Sequence, residues 1–160
     1  MSVLITGGVK SGKSSYALQI AEKWTGDKYF LATAVAFDDE MKAKIIRHQA
    51  ERDPSFVTIE EPVHIDRHVQ GPMIFDCVTL WMNNIFFQEM EDRWEEIMGD
   101  FLSRMPTDIV IVSNETGLGN IPADSMTRRY NNTLGNANKM IAAAVDEVYL
   151  MVSGIPLRAK

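Results

Sequence analysis

Gly7-Gly8-Val9-Lys10-Ser11-Gly12-Lys13-Ser14 is the stretch that decides how this chain is read. It matches the phosphate-binding pattern G-x-x-x-x-G-K-[ST], and its flanks have the order that the chemistry demands. Val3-Leu4-Ile5-Thr6 precedes it as a short apolar run with the look of a buried strand. Behind it Ala17, Ile20, Ala21 and Trp24 recur at helical spacing, which predicts a helix over Ser14–Trp24. Strand, turn and helix in that order aim backbone N–H groups and the positive helix end at one set of phosphate oxygens. Gly7 and Gly12 supply backbone geometry that a β-carbon forbids. Gly8, Val9, Lys10 and Ser11 complete the cradle, Lys13 places a point charge on the outer phosphates, and the Ser14 hydroxyl ligates Mg²⁺. A glycine-rich turn that only resembles the pattern is the bland alternative, and the flanks argue against it.

The rest of the composition bounds the partners. A chain of 160 residues with 46% hydrophobic and 24% charged residues fits one globular domain spanning 1–160. The net charge of −6 and the lack of a basic tract argue against nucleic acid, so a polyanion must be held locally, as Lys10 and Lys13 allow. The single cysteine, Cys77, excludes an intrachain disulfide and suits a reducing compartment. The first apolar run is too short for a signal peptide, and no stretch approaches membrane-spanning length. The expected location is the cytoplasm, away from any membrane.

Apolar runs alternate with helical patterns, which predicts an α/β fold with a mostly parallel sheet and helices on both faces. The strand candidates are Val3–Thr6, Tyr29–Thr33, Val57–Ile59, Met73–Asp76, Ile109–Ser113 and Val148–Val152. Helical patterns cover Ser14–Trp24, Asp39–Arg52, Leu80–Glu91, Trp94–Arg104 and about Asp124 to Val145, with a short helix expected over His64–Val69. Chemistry in such sheets gathers at the carboxyl ends of strands, here Thr6-Gly7, Ala32-Thr33-Ala34, Glu60-Glu61, Asp76-Cys77 and Asn114-Glu115.

Three of these places carry candidate chemistry. Met73-Ile74-Phe75-Asp76 is an apolar strand ending in an acid, the usual companion of a phosphate loop, where the acid holds Mg²⁺ beside Ser14. In the segment after the second strand, Met41, Ile45, His48 and Arg52 fall along one helical stripe that grows polar toward its end. By residues alone, His48 is either a packed core histidine or a catalyst. Ile109 to Val112 reads as a buried strand delivering Asn114 and Glu115 into a glycine-containing loop, either a substrate or metal site or an ordinary strand exit. His64 and His68, at i and i+4, lack a third ligand at sensible spacing and read as a solvated face. No N-K-x-D guanine-reading motif is present, which argues against a Ras-like switch.

The order of segments resembles the bifunctional adenosylcobinamide kinase / adenosylcobinamide-phosphate guanylyltransferase family of cobalamin biosynthesis. The resemblance runs through Thr6-Gly7-Gly8, Ser11-Gly12-Lys13-Ser14, Ala32-Thr33-Ala34 and Asp39-Glu40-Met41 leading to His48. It continues through Glu60-Glu61-Pro62, Asp76-Cys77-Val78-Thr79-Leu80-Trp81, Ser113-Asn114-Glu115-Thr116-Gly117 and Val152-Ser153-Gly154-Ile155. The phosphate loop is generic; the helix ending in His48 combined with the Asn114-Glu115 loop is specific. The resemblance implies a RecA-like P-loop NTPase fold with two activities. One phosphorylates adenosylcobinamide with ATP or GTP, and the other transfers GMP from GTP to adenosylcobinamide phosphate through a guanylyl-histidine at His48. It also implies that Ala32, Thr33, Ala34, Gln49, Ala50, Glu51, Arg52, Glu60 and Asp76 complete the nucleotide site, with Lys13 as its catalytic cation. Family members form trimers, so a homo-oligomer, with the trimer as its form, is expected. The chain departs from the family pattern at Thr116, where valine is usual, and at Asn131-Asn132, which replace an Arg-Asp pair; Arg128, Gly135 and Asn138 fit it. The stretch between Phe87 and Pro106 is shorter than usual. The alternatives are a member with one of the two activities, a small-molecule kinase in which His48 only packs, and an NTPase switch without a covalent intermediate.

Overall fold

Strands buried on both faces must be apolar almost throughout, and the sequence supplies such runs at Ser2–Gly7 (β1), Met73–Asp76 (β4) and Ile109–Val112 (β5). The computed structural model describes residues 1–36, 39, 42–43, 53–118 and 121–160. There, Lys28–Ala32 (β2), Phe56–Glu60 (β3), Glu147–Val152 (β6) and Ile155–Arg158 (β7) join them in a sheet of order β3-β2-β4-β5-β1-β6-β7. Every pairing from β3 to β6 is parallel, and only β7 runs antiparallel, on β6. All the parallel strands therefore end at one edge.

Alternate side chains divide the core in two. Leu4, Leu31, Met73, Phe75, Ile109 and Ile111 face a large cluster built with Val78–Phe87 (α2), Trp94–Arg104 (α3) and Ser125–Ala144 (α4). Val3, Ile5, Phe30, Ile74, Val110 and Val112 face the other way, onto Ala17 and Ala21 of Lys13–Ala21 (α1). Helices thus cover both faces, as the alternating pattern predicts.

Local chemistry explains where the elements stop. The expected helix over Leu80–Glu91 begins and ends earlier. The Cys77 sulfur accepts the Leu80 N–H at 3.5 Å as its cap, and Glu89 takes φ 55, which breaks the helix after Phe87. The helix expected to Trp24 ends at Ala21, and the next residues tighten through Lys23 N–H to Ile20 and Trp24 N–H to Ala21. Trp94–Arg104 forms as expected, with Glu95 and Glu96 in its first turn and Arg104 in its last. Asp124 caps α4 by accepting the Thr127 N–H at 2.8 Å. The short helix expected over His64–Val69 is a single 3₁₀ turn, Ile65–Arg67. Most of the helix expected over Asp39–Arg52 lies outside the described residues.

β7 is the element that pattern reading missed. Ser153 and Gly154 take φ 49 and 88, the two positive values of a two-residue hairpin turn. The outer strand carries Pro156, which has no N–H to offer and is tolerated at an edge. Among the described residues no helix is long and apolar enough to cross a membrane.

The core makes a direct stability prediction. Phe101 of α3 meets Phe75 of β4 edge to face at 5.3 Å, and both are fully buried. Phe101→Ala removes the ring and leaves a cavity, so urea unfolding should lose about 3–5 kcal/mol. A loss below about 1 kcal/mol would mean that α3 does not dock on β4 in this way.

Candidate active site

The phosphate loop is built by backbone conformations that need glycine. Gly7 closes β1 at φ 148, and a β-carbon there would lie 2.7 Å from both the Met151 carbonyl oxygen and Ser11 Oγ. Gly12 caps α1 at φ 94, and its β-carbon would press on Gly154 at 3.3 Å. The Gly154 N–H donates to the Ser11 carbonyl at 3.0 Å, so the β6–β7 hairpin turn braces the loop from behind. Ser11 Oγ is buried with no hydrogen-bond partner among the described residues. Lys13, 8% exposed, folds its ammonium over the loop and donates to the carbonyls of Gly7 at 3.0 Å and Gly8 at 2.6 Å.

The strand exits gather around this loop. The register sets Ile5 beside Val112 and Val112 beside Asp76, so one strand separates β1 from the acid that ends β4. That intervening strand leads to Asn114 and Glu115, and the Glu115 N–H donates to the Gly7 carbonyl at 3.1 Å. The Asn114-Glu115 exit therefore docks directly on the phosphate loop. The Glu115 carboxylate accepts the Gly117 N–H at 3.0 Å and holds its own turn.

A buried polar network fixes that exit. Ser113 Oγ donates to Asn138 Oδ1 at 2.6 Å, and Asn138 Nδ2 donates to the Asn114 carbonyl at 3.1 Å. The Asn114 N–H donates to Thr79 Oγ1 at 2.9 Å, and Tyr130 donates to the Thr79 carbonyl at 2.9 Å. Burial, assisted by nearby Cys77, pushes the Tyr130 phenol up, so it stays a donor. The roles of Gly154, Thr79 and Tyr130 were not read from the sequence. Their signal was a Ser-Gly turn and polar residues at positions that periodicity assigns to packing.

The exits of β2, β3 and β4 form a second group. Ala32 pairs in register with both Asp76 and Glu60. Thr33 is fully buried; its N–H donates to the Asp76 carbonyl at 3.1 Å, and its hydroxyl donates to the Cys77 carbonyl at 2.9 Å while accepting the Cys77 N–H at 3.1 Å. Burial and the negative charge of Asp76 push the Cys77 thiol up to about 12, so it caps a helix rather than acting as a nucleophile. Lys13 acts on the same thiol in the opposite sense.

Glu61 caps the turn after β3. Its carboxylate accepts the N–H groups of Val63 and His64 at 2.9 and 2.8 Å and meets His68 Nε2 at 3.3 Å. Burial alone would raise this carboxyl, but the two N–H donors and the neighbouring imidazoles outweigh it and hold it below the usual range. Among the described residues no group of three or more His, Cys, Asp or Glu could hold a metal ion.

The structure thus brings Gly7, Gly8, Val9, Lys10, Ser11, Gly12, Lys13, Ser14, Ala32, Thr33, Ala34, Glu60, Asp76, Asn114 and Glu115 to one edge of the sheet. His48, Gln49, Ala50, Glu51 and Arg52 lie outside the described residues.

Comparison with known proteins gives this edge a context. A model of the cobinamide kinase / cobinamide phosphate guanyltransferase family matches residues 3–159. The bifunctional adenosylcobalamin biosynthesis protein CobP of Pseudomonas aeruginosa is 34% identical over 169 residues, covering 100% of this chain and 98% of that protein. The corresponding protein CobU of Escherichia coli is 32% identical over 185 residues and is covered in full, as is this chain. In fold alone, the chain resembles an ATPase of a bacterial type III secretion system, with TM-score 0.53 and 11% identity over 94% of this chain and 51% of that one.

Two variants test the geometry. Gly7→Ala forces a side chain into left-handed backbone against Met151, at a strain of about 1–3 kcal/mol, and should weaken nucleotide binding as well as lower the melting temperature. For stability, Gly8→Ala is its control, since no protein atom lies within 4 Å of the added carbon. Equal losses of melting temperature from the two would contradict the loop conformation. Because the Glu61 carboxyl is held low when folded, its contribution is present above its unfolded value of 4.5 and is lost as pH falls through the folded one. Glu61→Gln should therefore flatten the acid limb of melting temperature against pH; an unchanged limb would contradict the cap.

Proposed function

We infer the function of this chain from the family to which it belongs, the cobinamide kinase / cobinamide phosphate guanyltransferase family. It is a bifunctional enzyme of cobalamin biosynthesis, a kinase and a guanylyltransferase. We propose adenosylcobinamide as the substrate phosphorylated, with ATP or GTP as donor, and adenosylcobinamide phosphate as the acceptor of GMP from GTP.

The observation that carries the chemistry is the convergence of the Gly7–Ser14 loop, Asp76 and the Asn114-Glu115 exit at one sheet edge, with the loop and that exit tied through the Gly7 carbonyl. The triphosphate tail lies in the loop, against its N–H groups, the Lys13 ammonium and the α1 N-terminus. In guanylyl transfer a neutral imidazole nitrogen of His48 attacks the α-phosphorus. The bond from that phosphorus to the bridging oxygen breaks, pyrophosphate leaves with the electron pair, and the ring loses its other N–H proton to solvent. An oxygen of adenosylcobinamide phosphate then attacks the same phosphorus, the P–N bond breaks, and the imidazole recovers a proton. Dividing one transfer into two lets each step use the same charge stabilisation. In the kinase reaction the corrinoid hydroxyl oxygen attacks the γ-phosphorus held in the same loop, the bond from that phosphorus to the β–γ bridging oxygen breaks, the nucleoside diphosphate leaves with the electron pair, and the hydroxyl proton passes to solvent.

The Ser14 hydroxyl and the Asp76 carboxylate are hard oxygen donors at the same edge, a set that suits Mg²⁺ shared with substrate phosphates rather than a closed protein cage. Bound there, Mg²⁺ would neutralise charge on the departing phosphates. Ala32, Thr33, Ala34, Gln49, Ala50, Glu51, Arg52 and Glu60 complete the nucleotide site in this reading. One domain over 1–160 working in the cytoplasm as a homotrimer, without nucleic acid or membrane, belongs to the same proposal. The exposed Ile155 and Leu157 on the outer strand support self-association.

Incubation with GTP labelled at the α-phosphorus should leave acid-labile, base-stable label on the protein. His48→Ala should abolish it, and the labelling rate should fall as pH drops through the ordinary histidine range, because the imidazolium has no free electron pair. Label that survives in His48→Ala would contradict the assignment.

A further inference from the structure

Asn84, on α2, is 4% exposed, and its amide donates to the Thr33 carbonyl at 2.8 Å and to the Pro62 carbonyl at 2.9 Å. An asparagine amide has two donor hydrogens, and here both hold loop carbonyls. These carbonyls belong to different strand exits, since Thr33 follows β2 and Pro62 follows β3. Trp81, three residues earlier on the same helix, reinforces the second exit by donating its indole N–H to the Val63 carbonyl at 2.8 Å. A leucine would fill a similar volume without desolvating an amide, so packing alone gives no reason for a polar residue here.

Chain connectivity gives the arrangement its consequence. The chain leaves β2 at Thr33 to enter the stretch that carries His48, and it reaches Pro62 two residues after Glu60. Thr33 is bonded in turn to Asp76 and Cys77. One side chain therefore sets the spacing between the root of the His48 stretch, the Glu60 exit and the acid of β4. The phosphate loop stands apart from it, held by β1, α1 and the β6–β7 turn.

We propose that Asn84 is a positioning residue for guanylyl transfer, fixing the separation of the Thr33 and Pro62 exits, which flank in sequence the stretch that carries His48, without itself touching nucleotide. This rests on the reading of His48 as the nucleophile. The geometry of attack is steep in distance, and a displacement of about 1 Å can cost about a hundredfold in rate. The triphosphate tail is held by the loop, which Asn84 does not contact, whereas the Thr33 and Glu60 exits it holds border the rest of the nucleotide.

The test compares Asn84→Ser with the unaltered full-length chain, measuring GTP affinity with a fluorescent analogue, single-turnover formation of GMP-protein at saturating GTP, and melting temperature. Asn84→Ser should slow GMP-protein formation by about tenfold to a hundredfold. Its GTP dissociation constant should change by a clearly smaller factor than the rate, since the loop that holds the triphosphate tail is separate from Asn84. Asn84→Gln, which keeps both donors one methylene further out, should show the same split to a smaller degree and serves if Asn84→Ser does not fold. A labelling rate equal to wild type would overturn the inference, as would equal losses of rate, affinity and thermal stability. Wild-type protein that takes no label would overturn the His48 reading and this inference with it; normal labelling of the folded variants would overturn the inference alone.

Discussion

One strand lying between two others sets the geometry on which the rest depends. β5 is inserted between β1, which ends in the phosphate loop, and β4, which ends in Asp76. Two strand spacings place the acid about 10 Å across the edge from β1 in the hydrogen-bonding direction. In the proposed reading a triphosphate and a cation bridge that gap. The same strand delivers Asn114 and Glu115 into the gap, and the Glu115 N–H meets the Gly7 carbonyl that Lys13 also contacts. The sheet order thus fixes both the distance that the ligand must span and the loop that borders it.

The energetics follow this division of labour. Apolar burial on both faces holds the strands in register, and the large cluster under α2, α3 and α4 supplies most of that burial. Polar bonds at the carboxyl edge contribute less to stability and more to shape. Asn138, Thr79, Thr33 and Asn84 are buried polar residues whose partners are mostly backbone groups of strand exits. Each would leave a carbonyl or N–H unsatisfied if removed, which makes the edge brittle to substitution and rigid when intact. α2 has a special place in this scheme because it starts beside Asp76 and reaches exits on both sides of it.

Much of this was legible in the sequence because it rests on local chemistry. The phosphate loop is a contiguous pattern with glycines at the positions whose φ angles demand them, and Met73–Asp76 and Trp94–Arg104 were read to their ends. The exits named by the carboxyl-end rule lie at one edge, because strand direction follows from alternation with helices. What escaped was long-range. β7 is short, exposed and signalled only by a two-residue turn, and its neighbour Gly154 braces the loop from more than a hundred residues away. Tyr130 and Asn84 sit within helical patterns, where period gives a face but not a partner, and Thr79 lies one residue ahead of such a pattern. The early end of α2 depends on Glu89 taking left-handed backbone, which no propensity foretells. His48 shows the opposite case: residues alone left its role open, and its assignment came from resemblance to a family.

The most direct test of the account is a crystal structure of the chain with Mg²⁺ and a GTP analogue whose α–β bridge cannot be cleaved. The account predicts β- and γ-phosphates inside the Gly7–Ser14 loop, the cation between Ser14 and Asp76, and the α-phosphorus facing a ring nitrogen of His48. Phosphates bound away from that loop, or a His48 ring turned from the α-phosphorus with Glu60 and Thr33 far from the nucleotide, would contradict it.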